Sequence, residues 1–126
     1  MKKIIQTAAA PAPIGPYNQA VQVDNTLYIS GQIGLNPTTM EWVNDSIENE
    51  TRQVLANLEA VLAAANMTFD NVVKSSIFLD DMSHFNTVNA IYGSYFNDET
   101  APARETVAVK TLPKSVRVEI SMIAVV

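Results

Sequence analysis

Three places in this chain carry residues that could do chemistry: an arginine before a short strand, a glutamate inside another, and a tyrosine on a proline-stiffened loop. Arginine occurs only as Arg52, Arg104 and Arg117. In "TAPARETVAV", Pro102 fixes the approach of the chain, and strand alternation then puts Arg104, Thr106 and Ala108 on one face and Glu105, Val107 and Val109 on the other. A guanidinium at a strand edge beside small residues can offer its planar fork to a carboxylate or phosphate; the competing reading is a surface ion pair with Glu105 or Glu99. Glu119, in "VRVEISMIAVV", lies opposite the Val118, Ile120 and Met122 face. Solvated, it is only a polar strand position; partly buried, it would hold its proton more tightly and could position or deprotonate a water. In "IGPYNQA" the glycine and proline hold Tyr17 at a defined point, and Ser30-Gly31-Gln32 ends "YISGQIG" with a glycine that lets a ligand approach backbone amides.

Other chemistries find no support. There is no cysteine, which excludes disulfides, thiolate metal sites and thiol catalysis and fits a reducing cytoplasm. His84 is the single histidine, so a histidine-rich metal site is impossible, and no serine has a nucleophile-elbow context. Gly31 and Gly34 lack the spacing and the lysine of a phosphate-cradling loop. Eight basic against thirteen acidic residues give a net charge of −5, and no basic run is present to attract nucleic acid. No stretch approaches the roughly 20 apolar residues of a membrane span. At the start, Gln6 and Thr7 interrupt the apolar residues too early for a signal peptide.

The elements that must position these residues fit one domain over residues 1–126, for which 48 % apolar residues supply an adequate core. Strands are expected at Lys3 to Thr7, Ala20 to Val23, Thr26 to Ile33, Val72 to Leu79, Glu105 to Val109 and Val116 to Val126. The second and third form a hairpin turning at Asp24-Asn25. Helices are expected at Ile47 to Ala65, capped by Ser46, and at Val88 to Phe96. The order predicts an α+β fold with two helices on one face of a sheet. The strands are apolar on both faces, Ile77 and Leu79 on one and Val72 and Phe78 on the other. Self-association is the economical cover for the second face, and it would put sites at subunit boundaries.

"APAPIGPYNQA", "LYISGQI", "FNTVNAIYGSYF", "PAR" and "LPKSVRVEISMIAVV" occur in an order that, across essentially the whole chain, resembles the RidA (YjgF/YER057c/UK114) family. The resemblance implies a chorismate-mutase-like single sheet with two helices on one face, forming a homotrimer with ligand clefts between subunits. It implies an enamine/imine deaminase that hydrolyses 2-aminoacrylate and related imino acids to 2-keto acids and ammonia without a cofactor. By the same resemblance Arg104 would anchor the substrate carboxylate and Glu119 would hold the attacking water. Tyr17, from the neighbouring subunit, would line the cleft; the amides around Gly31 and Thr106 would bind substrate oxygens, supported by Ser30 and Asn89. Three departures stand out. Glu105 follows Arg104 where small residues are usual, Thr106 stands where some members carry cysteine, and Ser121 stands where many carry a second glutamate. A non-catalytic trimeric 2-keto-acid-binding or regulatory protein is the alternative, and ribonuclease or translation-inhibitor activity, attributed to some relatives, conflicts with the charge.

Overall fold

A computed structural model describes all residues from Met1 to Val126. Its strands are β1 (Lys2–Ile5), β2 (Ala20–Val23), β3 (Thr26–Ile33), β4 (Val72–Leu79), β5 (Ala103–Ala108) and β6 (Val118–Val125), with helices α1 (Ile47–Ala64) and α2 (Phe85–Gly93). They form one six-stranded sheet in the order β1-β2-β3-β6-β4-β5, in which only the β4–β5 pair is parallel.

Local chemistry explains most boundaries. Asp24 takes the left-handed conformation (φ 52°) that a two-residue hairpin turn requires, and Val23 pairs with Thr26 across it. The Ser46 side chain accepts a hydrogen bond from the Asn49 amide at 3.0 Å, a cap worth about 1 kcal/mol. Val54, Leu55, Leu58, Val61 and Leu62 then recur on the buried face of α1. At the start of β6, the fully buried Glu50 carboxylate of α1 accepts from Arg117 Nε at 2.6 Å and from the Arg117 amide at 2.9 Å. Breaking such a pair leaves a buried charge uncompensated, typically at a cost of about 3–5 kcal/mol, so α1 fixes where β6 begins.

Several expectations shift: β1 ends at Ile5, β5 opens at Ala103 so that Arg104 lies inside it, and β6 opens at Val118. The second helix starts at Phe85 rather than Val88 and ends at Gly93, because Asp81 caps a short turn, Met82–His84, that feeds directly into it. Tyr95 and Phe96 lie beyond the helix and still pack edge-on against Phe69. Strand alternation puts Val72 opposite Ile77 and Leu79, but a register shift between Val72 and Lys74 turns it into the same core.

Both helices cover one face of the sheet, and the core lies between them. The other face is uncovered, with Tyr28, Val73 and Val107 each 41–50 % exposed. No helix is long and apolar enough to cross a membrane.

Candidate functional site

The residues singled out by sequence gather in two places. The first is a groove of about 370 Å³ lined by Tyr17, Ser30, Gly31, Ile33, Pro113 and Glu119. Strand alternation along β6 turns Glu119 away from the helices, in register with Ile33 of β3 and Phe78 of β4. An irregularity of β3 between Ile29 and Gln32 places Ser30 and Gly31 beside it. A Cβ on Gly31 would stand 2.5 Å from Glu119 Oε2, so the missing side chain is what lets the carboxylate lie against this backbone. Glu119 is half-buried, accepts no hydrogen bond within the chain, and burial pushes its carboxyl above the ordinary value.

The loop carrying Tyr17 is fastened from beneath. Buried Gln19 donates to the carbonyls of Thr7, Ala10 and Pro11 at 2.9–3.1 Å and accepts from the Thr7 amide at 2.7 Å. The Ser30 hydroxyl donates to the Asn18 carbonyl at 2.6 Å, and the Ser30 amide donates to the Gln19 carbonyl. Ser30 therefore spends its proton on holding the loop. Tyr17 is half-exposed and shares the groove with Glu119 of its own chain; its hydroxyl accepts a long 3.4 Å bond from the Ile14 amide.

The second place is the β5 edge under α2. Arg104 Nη1 donates to Asn89 Oδ1 at 2.8 Å, and the guanidinium carbon lies 5.1 Å from the Tyr92 ring centre and 5.9 Å from that of Phe85. Arg104 makes no ion pair, so the surface-pair reading with Glu105 or Glu99 fails. Glu105 points to the opposite face, as alternation requires. There the Ser76 hydroxyl, then Lys74 at 2.9 Å, hold its carboxyl below the ordinary value. Thr106 follows Arg104 on the helix side, and its buried hydroxyl has no partner.

The two places are on opposite faces of the sheet. Arg104 is in register with Ser75, which is fully buried under the helices, whereas Glu119 is in register with Phe78 on the uncovered side. One chain therefore brings Tyr17, Ser30, Gly31 and Glu119 together, and Arg104, Thr106 and Asn89 together, but does not join the sets. The ring of Tyr92, which no sequence motif singles out, lies under the Arg104 guanidinium; the spacing of Phe85, Asn89 and Tyr92 along one helix face is the signal that points to it. His84, at the head of α2, has Asp80 3.5 Å from its Nε2.

The model of the Endoribonuclease L-PSP family matches residues 7–126. A RutC family protein of Synechocystis is 54 % identical over 98 % of this chain and 95 % of its own length. The mouse 2-iminobutanoate/2-iminopropanoate deaminase is 50 % identical over 99 % of this chain and 92 % of its own. A solved structure of YyfA, from the conserved Rid protein family of Yersinia pestis, superposes with a TM-score of 0.96 at 48 % identity, and each chain covers 100 % of the other. With its whole length and fold accounted for in this way, the chain belongs to the RidA/YjgF family described by the Endoribonuclease L-PSP model.

Proposed function

We propose that the protein is an imine deaminase acting on 2-iminobutanoate, 2-iminopropanoate and the 2-aminoacrylate that tautomerises to the latter. It works as a cytoplasmic homotrimer in which the Arg104 set of one subunit faces the Glu119 set of the next. The observation that carries this reading is the half-buried Glu119 carboxylate, unpartnered and pressed against Gly31. The 50 % identity to the mouse 2-iminobutanoate/2-iminopropanoate deaminase over 99 % of this chain supports the reaction class. The opposite-face placement supports a shared cleft, because neither set has its complement within its own chain.

The chemistry asks for three things. The substrate carboxylate must be held, and the fork of Arg104 does this while Asn89 occupies only Nη1. A water must attack the imine carbon, and ionised Glu119 takes the proton as the C–O bond forms. The C=N electron pair of the protonated imine moves to nitrogen, giving a neutral carbinolamine that takes the proton back from Glu119 on nitrogen. The C–N bond then breaks, and the hydroxyl proton passes to Glu119 as the C=O forms. Ammonia carries that proton away as ammonium, leaving the 2-oxo acid. Such proton transfer typically contributes about 10²–10⁴-fold, and fixing the carboxylate adds an orientational advantage. Tyr17 sits at the groove mouth, where its hydroxyl meets the reacting nitrogen, while the amides at Gly31 and Thr106 meet substrate oxygens.

RNA cleavage, which the family model's name suggests, is disfavoured by the net charge of −5 and the absence of a basic run. The test generates the enamine in situ with a serine or threonine dehydratase and follows imine decay. Wild type should accelerate decay, and Arg104→Ala should abolish the acceleration. If wild type has no effect, the enzyme reading falls and a trimer that binds 2-oxo acids without turnover takes its place.

A further inference from the structure

A pair of hydroxyls is buried where the core does not need them. Tyr92 Oη donates to Ser75 Oγ at 2.8 Å, with Ser75 fully buried and Tyr92 4 % exposed. Polar groups placed in a core must be matched to each other, whereas a Phe and an Ala would fill the same space without that constraint. Ser75 is the register partner of Arg104 on the neighbouring strand, and the Tyr92 ring that it anchors lies under the Arg104 guanidinium. Phe85, Asn89 and Tyr92 follow one another at four and three residues along α2, which brings all three to one helix face. Together they contact the guanidinium with two ring faces and one amide oxygen. Only Nη1 of Arg104 is engaged; Nε and Nη2 donate to nothing within the chain.

We infer that Tyr92, anchored by Ser75, is a positioning residue that pre-orients the Arg104 guanidinium so that its free edge meets a carboxylate. A long arginine on an edge strand has many rotamers, and binding an anion to a disordered fork loses affinity to ordering it. The brace removes that loss in advance. It also explains the buried hydroxyl pair, since the hydrogen bond fixes the plane of the ring that the cation faces. The identity of the carboxylate ligand rests on the deaminase reading; the bracing of Arg104 does not.

The experiment uses the full-length protein and three variants, Tyr92→Leu, Tyr92→Phe and Ser75→Ala. Calorimetry measures binding of 2-oxobutanoate and of its neutral amide, imine decay gives KM and kcat, and ¹⁵N relaxation of Arg104 Nε gives the order of the side chain. Tyr92→Leu, which removes the ring, should weaken 2-oxobutanoate binding and raise KM about tenfold. Tyr92→Phe and Ser75→Ala, which keep a ring or the whole tyrosine, should each cost about two- to fourfold. In all three, kcat and amide binding should hold within about twofold, and the order of Arg104 should fall most in Tyr92→Leu. Equal weakening of acid and amide, or an Arg104 as ordered in Tyr92→Leu as in wild type, overturns the proposal. If Tyr92→Leu does not fold, the same comparison between wild type, Tyr92→Phe and Ser75→Ala decides it. A wild type that binds 2-oxobutanoate and shows this pattern without accelerating imine decay upholds the brace and overturns the deaminase. A wild type that binds 2-oxobutanoate no better than Arg104→Ala overturns both.

Discussion

The two halves of the candidate site are built by opposite means. Around Arg104, position comes from side chains: two aromatic rings, one carboxamide and a buried hydroxyl pair converge on a flexible cation. Around Glu119, position comes from side chains withheld and from backbone, with Gly31 leaving room for the carboxylate and Gln19 tying down the proline loop by three carbonyl contacts. The difference matches the tasks proposed for the two residues. Arginine is always charged and needs only aiming, so packing and cation–π contacts suffice. A base must also be tuned, which requires burial without a partner that would lower its pKa. The braced half can therefore absorb conservative changes, whereas the hollowed half should be intolerant of a single added methyl.

The largest effect tests whether the halves belong to different chains. Arg104→Ala and Glu119→Gln should each lower kcat/KM by at least about 10²-fold. Mixed and reassembled together, the two inactive proteins should regain activity, because about one cleft in four combines an intact Arg104 with an intact Glu119 from the adjoining subunit. Mass spectrometry verifies that subunits have exchanged. Exchange without recovery would put both halves of each site on one chain and dismantle the shared cleft.

Gly31→Ala comes next. The added Cβ would contest the space of Glu119 Oε2 at 2.5 Å, and Gly31 does not occupy the left-handed region, so the backbone itself admits alanine. The expected outcome is a fall in kcat approaching 10²-fold with KM for the carboxylate substrate nearly unchanged, since Arg104 is untouched. A rise in KM with kcat preserved would mean that the Gly31 amide's contact with substrate, not the room left for Glu119, dominates at this position, and that the division of labour between the halves is wrong.

Much of this was legible in the sequence wherever one residue type forces one conformation. The Asp24-Asn25 turn, the Ser46 cap and the stripe from Val54 to Leu62 are local signals, and each marks a real boundary or face. Strand parity correctly turned Glu105 away from Arg104 and Glu119 away from Ile120. What parity cannot provide is the relation between strands. Arg104 and Glu119 each had a defined face, but that these are opposite faces depends on the registers Arg104 to Ser75 and Glu119 to Phe78, which no single segment contains. Val72 escaped for a related reason, because a bulge resets parity from inside the strand. The second helix starts three residues before its apolar pattern does because the Asp81-capped turn feeds into it, and it stops at Gly93 although Tyr95 and Phe96 continue an apolar pattern that tertiary packing, not helix, accounts for.

The smallest effect separates a tuned base from a merely exposed carboxylate. Burial raises the folded-state pKa of Glu119 above the value of about 4.3 expected in the unfolded chain. Between those two values the folded protein binds more protons than the unfolded one, so this group makes stability fall as pH rises. Glu119→Gln removes the titration while keeping the shape. The variant should gain thermal stability relative to wild type as pH climbs from about 4 through the folded pKa, and the gain should level off above it. If the ionised form takes the proton from water, as proposed, wild-type kcat/KM, which reports the free enzyme, should rise over the same interval and level off with the stability difference above the folded pKa. A melting difference that ignores pH would mean that Glu119 is as well solvated in the folded protein as in the unfolded chain. The groove would then lack the desolvation that sets it apart from the Arg104 half, and the base would have to be sought elsewhere.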